Sequence, residues 1–268
     1  ITGLHLDNFT INAYASDTAN VFVGAFIGYG AGANLINCSA TNGKINVFGS
    51  GYFSYVGGAV GAQQSASAMA TDGSLFPFYS VVNKVYTDVD IFSGSGYILG
   101  AGGITGFVFF EHEMSQSVIT NSYSCGGIYG ALRSGGIAGI LDNYSAISNC
   151  YSAGEIEAYS SVAVDGMSVD LSAFAGGIVG YSGLNTVVSD SFSTASTYAK
   201  ATNGSKFEHT DGLVAGVSES TVTERAIVIN NCEHLNSAPN AAYIKNTLGW
   251  RDCDWVITDG ALPVINTS

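Results

Sequence analysis

A short apolar segment bracketed by glycine returns six times along the 268-residue chain. It reads VGAFIG at Val23 to Gly28, VGGAVG at Val56 to Gly61 and AGGITG at Ala101 to Gly106. It returns as SGGIAG at Ser134 to Gly139, AGGIVG at Ala175 to Gly180 and DGLVAG at Asp211 to Gly216. The closing glycines lie 33 to 45 residues apart. After each copy comes an apolar strand ending in Asn or Asp: around Asn37, Asn83, Asn121, Asn149, Asp190 and Asn231. A unit this small cannot bury its apolar face alone, so neighbouring units must stack.

No long segment carries a helical apolar period, and short β-branched runs dominate. The expected fold is therefore all-β: a single right-handed parallel β-helix of about seven irregular coils. Equivalent residues then fall into ladders. Gly106, Gly139 and Gly180 form one, where glycine permits backbone angles or a close approach that a Cβ would forbid. Asn121, Asn149 and Asp190, with Asn37, Asn83 and Asn231, form a corner whose amides bond between coils. The next positions, Cys38, Lys84, Ser122, Cys150, Ser191 and Cys232, are mostly small and suit a tight interior corner. At ~4.8 Å per layer, Cys150 and Cys232 would sit ~10 Å apart, beyond disulfide reach. Free, buried thiols are expected there.

The repetition also settles the segment AFAGGIVGYSG (Ala173 to Gly183), which in isolation resembles a phosphate-cradling loop. A nucleotide loop occurs once, between a strand and a helix. This one has relatives along the whole chain and no helix after it.

Formal net charge is -13, with eight Lys and Arg spread thinly. A polyanion would be repelled almost everywhere, which excludes nucleic acid as a partner. The longest apolar run, Tyr97 to Phe110, is too short and glycine-rich to span a bilayer. Five cysteines without a CxxC pair support neither a disulfide scaffold nor a zinc site. No signal peptide is evident, and ITGLHLDNFTI already alternates like a strand. The expectation is a processed mature protein or a segment of a longer one.

The stretches GGIVGYSGLNTVVSDSFSTA and GGIAGILDNYSAISNCYSAGEI resemble GLUG-motif repeats, which run from a Gly-Gly-aliphatic-x-Gly strand to an Asn-Ser/Cys-Tyr element. The ending NTLGWRDCDWVITDGALPVINTS is similar to the tryptophan-to-Pro-Val segment that closes such regions. The resemblance implies a parallel β-helix on secreted or surface-anchored microbial proteins, adhesin-like proteins and non-catalytic regions of IgA-cleaving peptidases among them. The family pattern carries no catalytic residue to transfer. The expected organisation is one domain over 1–268: an N-terminal coil at 1–20, repeats at 21–245 and a closing segment at 246–268.

Solenoids carry function on loops that interrupt the repeat. One loop ends in Phe76, Pro77, Phe78 and Tyr79, and those aromatic rings either bind a sugar or protein partner or fold over an open end or flank to cover apolar surface. A catalytic alternative draws on Glu111 and Glu113, which flank His112, and on Asp165 and Asp170, a spacing open to a glycosidase pair. Asp88 and Asp90 share one strand face, where they line the solvent side or coordinate calcium together with loop oxygens; no other cofactor is expected. Asn8, Asn37, Asn143, Asn203 and Asn266 begin N-x-S/T sequons. Three functions remain open. The first is a non-enzymatic module, secreted or on the cell surface, that binds a cell-surface glycan or protein or acts as a spacer. The second is a filament or surface-layer subunit that pairs end to end with copies of itself. The third is a β-helix glycoside hydrolase or lyase.

Overall fold

The computed structural model describes residues 1–15, 20–49, 53–93, 98–109, 116–160, 173–201 and 228–267. It is all-β, with three parallel sheets visited in a fixed order. A pass through the first sheet, for example Asn34–Gly49, leads to Ser54–Gly57 in the second and Val60–Gln64 in the third. The chain then returns to the first sheet at Ser80–Ser93, one layer on. Every pairing within these three sheets is parallel. Among the described residues, the antiparallel pairings are Ala66–Met69 with Leu75–Phe78 and Trp255–Val256 with Val264–Ile265.

Register makes like residues stack. Leu35, Val82, Ile119, Ile147 and Val188 are successive partners across five layers, and all are buried. Ile45, Ile91, Ile128 and Ile156 form a second such column. Each buried aliphatic side chain contributes roughly 1.5–3 kcal/mol, and β-branched rotamers suit the pleat.

The recurring glycines answer to close approach rather than to unusual dihedrals. A Cβ on Gly139 would sit 2.5 Å from the Ala101 nitrogen and 2.7 Å from the Gly106 carbonyl oxygen. On Gly180 it would meet Ser134 backbone at 2.7 Å and the Gly139 oxygen at 2.8 Å. Gly106 meets the backbone of Val56 and Gly61 in the same way. The second and third sheets thus press together at backbone distance, which only hydrogen side chains allow.

The Asn corner is a left-handed kink inside the first sheet. Asn37, Asn121, Asn149, Asp190 and Asn231 all have φ between 49° and 53°, a region Asn and Asp tolerate better than other side-chain-bearing residues. Their side chains bond from layer to layer: Asn121 Nδ2 donates to Asn83 Oδ1 (3.0 Å), Asn149 Nδ2 to Asn121 Oδ1 (3.3 Å) and Asn231 Nδ2 to Asp190 Oδ1 (2.9 Å). The second unit corrects the expected register by one residue. Val82 pairs with Leu35 and Val85 with Cys38, so Lys84 (φ 54°), not Asn83, occupies the kink. Val85 then fills the interior position assigned to Lys84, which keeps an ammonium out of the core.

Apart from Val85, the position after the kink is Ser or Cys for a physical reason. Ser122 Oγ, Ser191 Oγ and Cys150 Sγ each donate to the carbonyl two residues back, and the Ser148 and Ser189 carbonyls also accept the N–H of Asn121 and Asn149 from the layer before. The same hydroxyls accept the N–H of Val85 and Cys150 from the layer before. Cys150 and Cys232 are free thiols with Ser191 between them; Cys150 is buried, and burial pushes it up to about 12, whereas Cys232 is only partly buried.

The C-terminal segment does not lie on an end of the stack. It straps the outer face of the first sheet, where Tyr86, Tyr123, Tyr151 and Phe192 stack at 4.3, 4.7 and 5.1 Å. Trp250 and Trp255 lie over this column, 4.4 Å from each other. Trp250 Nε1 donates to the Asp190 carbonyl and Tyr151 Oη to the Pro263 carbonyl. Lys84 reaches Asp254 (3.3 Å) and the Cys253 carbonyl (3.2 Å), while Arg251 donates to the same carboxylate at 2.6 Å.

That anchor makes the strap sensitive to acid. Burial works to raise the Asp254 carboxyl, but hydrogen bonds from Arg251 and Lys84 outweigh it and hold the pKa below its usual value. With a depressed folded pKa, the unfolded chain takes up the proton first as pH falls. The anchor therefore stabilises above about pH 4 and is lost as pH drops through the folded value. Urea melts followed by tryptophan fluorescence should show a lower midpoint at pH 3 than at pH 6. Asp254→Asn should shrink that difference; an unchanged difference assigns the effect to other carboxylates.

Candidate ligand-binding surface

In one layer the return from third to first sheet is an insertion. Where other layers use 142–145 or 183–186, this one uses 65–79 and raises the Ala66–Met69 and Leu75–Phe78 hairpin. Asp72 builds the turn: its carboxylate accepts the Ser74 N–H (2.9 Å) and hydroxyl (2.6 Å), and these two bonds lower its pKa. Gly73 supplies φ 82° with open space around it.

Phe76 and Phe78 alternate onto one face of the hairpin and stand opposite Ala68 and Ala66. Alanine is too short to cover a ring, so Phe76 is 55% exposed, Phe78 49% and the adjoining Tyr79 52%. Met69, across from Leu75, is 73% exposed. The hairpin's root is held firmly by contrast. Buried Gln63 donates through Nε2 to the Ser80 and Val118 carbonyls (2.8 and 3.1 Å), and Ser80 Oγ donates to the Ala33 carbonyl (2.8 Å). At the base Phe78 packs over Gly32, where an added Cβ would be only 3.0 Å away.

More rings continue across the neighbouring layers. Tyr29 Oη donates to Gln64 Oε1 beside the root, and its ring lies 5.2 Å from Phe22 and 6.4 Å from Phe109. Phe22, Tyr55 and Phe107 stack at 5.6 and 4.9 Å. This row was not among the residues expected from the sequence. Its sequence signal is an aromatic two residues before the first glycine, in VFVG and SYVG; Phe22 and Tyr55 stack on each other within the second sheet, and the Tyr29 and Phe107 rings they meet come from the third.

The other candidates separate. Glu111, His112 and Glu113, and likewise Asp165 and Asp170, lie outside the described residues. Asp88 and Asp90 stand on the outer face of the first sheet, and Asp90 accepts the Gly127 N–H at 3.0 Å. Burial, and next the Asp90 charge, raises Asp88. Among the described residues no group of three or more His, Cys, Asp or Glu is placed to hold a metal ion.

A family model described as the GLUG motif matches residues 130–157. The chain carries a GLUG motif. In the structure that stretch is one layer: the Gly135–Gly136 turn and Gly139 contact, then the kink at Asn149, Cys150 and the outward ring of Tyr151. The matched GLUG motif thus spans one layer of the scaffold, and the hairpin at 65–79 lies outside it. Among solved structures, the chain is similar to a protein from Bacteroides ovatus proposed to be an immunoglobulin A1 protease, with 16% identity and a TM-score of 0.42. The similarity covers 98% of this chain and 77% of that one. No curated protein matches the sequence.

Proposed function

We propose that this chain is a non-enzymatic extracellular surface module, wound as a right-handed parallel β-helix, that binds a glycan or protein partner through the hairpin bearing Phe76, Phe78 and Tyr79. The observation that supports it is a pair of rings left half-exposed on an insertion whose root is fixed by buried hydrogen bonds. Large exposed apolar groups held on a rigid frame mark interaction sites, and aromatic anchors dominate such interfaces. The net charge of -13 favours a neutral or basic partner over an acidic one. The acidic surface and the GLUG motif suit a secreted or surface-bound location. Among the described residues no helix is long and apolar enough to cross a membrane.

Glycan-array and cell-binding measurements with the wild type and with Phe76→Ala/Phe78→Ala test the reading. The double variant should lose binding at least about 10-fold while its melting temperature stays the same. Undiminished binding by the folded variant defeats it.

End-to-end assembly has one observation in its favour. Among the described residues, His5–Asp7, Thr10–Ala15, Val21–Gly24 and Ile27–Ala31 each pair on one side only, beside half-exposed Ile1 and Leu4. Unpaired edges are templates for further strands. A filament subunit would sediment as large particles whose size grows with concentration.

A further inference from the structure

The aromatic column beneath the C-terminal strap stops before the sheet does. Its rungs run from Phe192 through Tyr151 and Tyr123 to Tyr86, and the next two positions in register are Ser39 and His5. Val264 and Ile265 of the strap still wall this place, so the missing rings leave a cavity of about 160 Å³. One face of Tyr86 stacks on Tyr123, and its other side looks toward Ser39.

The rim is polar. His5 Nδ1 and Ser39 Oγ lie 2.8 Å apart, and Asn37, Lys84 and Thr267 complete the edge. A second recess of about 240 Å³ continues past Asn37 and Lys84. An apolar floor with hydroxyl, amide, imidazole and ammonium groups around it matches a hexose, which offers one C–H face and a belt of hydroxyls. A void of about 150 Å³ holds a benzene-sized ring, so the cavity takes one face of a single hexose ring while its hydroxyl belt extends into the adjoining recess. Lys84 is already paired with Asp254 at 3.3 Å, which favours a neutral sugar over a carboxylated one.

We propose that this cavity is a monosaccharide subsite, in which one neutral hexose ring stacks on Tyr86 where a further aromatic rung would lie. It shares no residue with the Phe76–Phe78 hairpin, and either site can fail without the other.

The test is saturation-transfer NMR and calorimetric titration with methyl α-D-mannoside, methyl β-D-galactoside and N-acetyl-D-glucosamine. At least one should bind, with transfer concentrated on one face of the ring. Ser39→Phe supplies the missing rung. It should reduce binding more than about 10-fold and leave the melting temperature equal or higher, because the new ring extends the stack. His5→Ala, at the exposed rim, should weaken binding about 3-fold or more without altering stability. The proposal is overturned if none of the three sugars binds at about 20 mM. It is equally overturned if His5→Ala, or folded Ser39→Phe, binds as the wild type does.

Discussion

Replacing Gly139 by valine should abolish soluble, folded protein. The new Cβ would fall 2.5 Å from the Ala101 nitrogen and 2.7 Å from the Gly106 oxygen, and both are backbone atoms tied into parallel ladders. Neither can move without parting the second and third sheets in two layers at once. Overpacking a core costs about 1–3 kcal/mol even where side chains can yield. Here backbone must yield, so the cost should reach at least the top of that range, a large part of a typical folding free energy of about 5–15 kcal/mol. Soluble yield and thermal unfolding measure it. Gly73→Ala is the control: it stands in open space, so only its positive φ is penalised, by about 1–2 kcal/mol. A Gly139→Val variant as stable as Gly73→Ala would show that the two sheets are not in backbone contact there.

The second large effect belongs to Trp255. It is 1% exposed, stacked on Trp250 and tilted against Tyr123 and Tyr151. Truncating a buried aromatic costs about 3–5 kcal/mol. Trp255→Ala should therefore lower the melting temperature by roughly 10 °C and open the strap to limited proteolysis between residues 236 and 267. The parallel layers, whose aliphatic columns do not touch Trp255, should keep their secondary structure. A shift of less than about 2 °C, with no new cleavage, would mean that the strap contributes little to stability.

The candidate site was legible only in outline. Phe76, Phe78 and Tyr79 stood out as an aromatic cluster in an interrupting loop, but a ring in a loop can cover the protein's own apolar surface as readily as it can face a partner. Exposure followed from the alternation across the hairpin, with Ala66 and Ala68 too short to shield the rings. The strap was harder still. Trp250 and Trp255 have no counterpart one unit away, so no period pointed to Tyr151 and Phe192 as their partners. Lys84 shows the limit most sharply. In VVNKVY the asparagine looks like the corner residue, and only the pairing of Val82 with Leu35 puts the lysine there instead, within reach of Asp254.

By itself the sequence determined that the chain is all-β and built from stacked parallel units. It also marked the recurring glycines, with special backbone angles and close approach both open, and placed most of the Asn corners. The tertiary structure alone decided the register of the second unit, the path of the C-terminal strap, the exposure of the hairpin rings and the gap beyond Tyr86. The division has one physical cause. In a stack of repeats a residue's nearest neighbour is the same position one unit away, so the contact is written twice in the sequence and can be recognised. A contact made once, between a repeat and an element outside it, leaves no such copy and exists only in three dimensions.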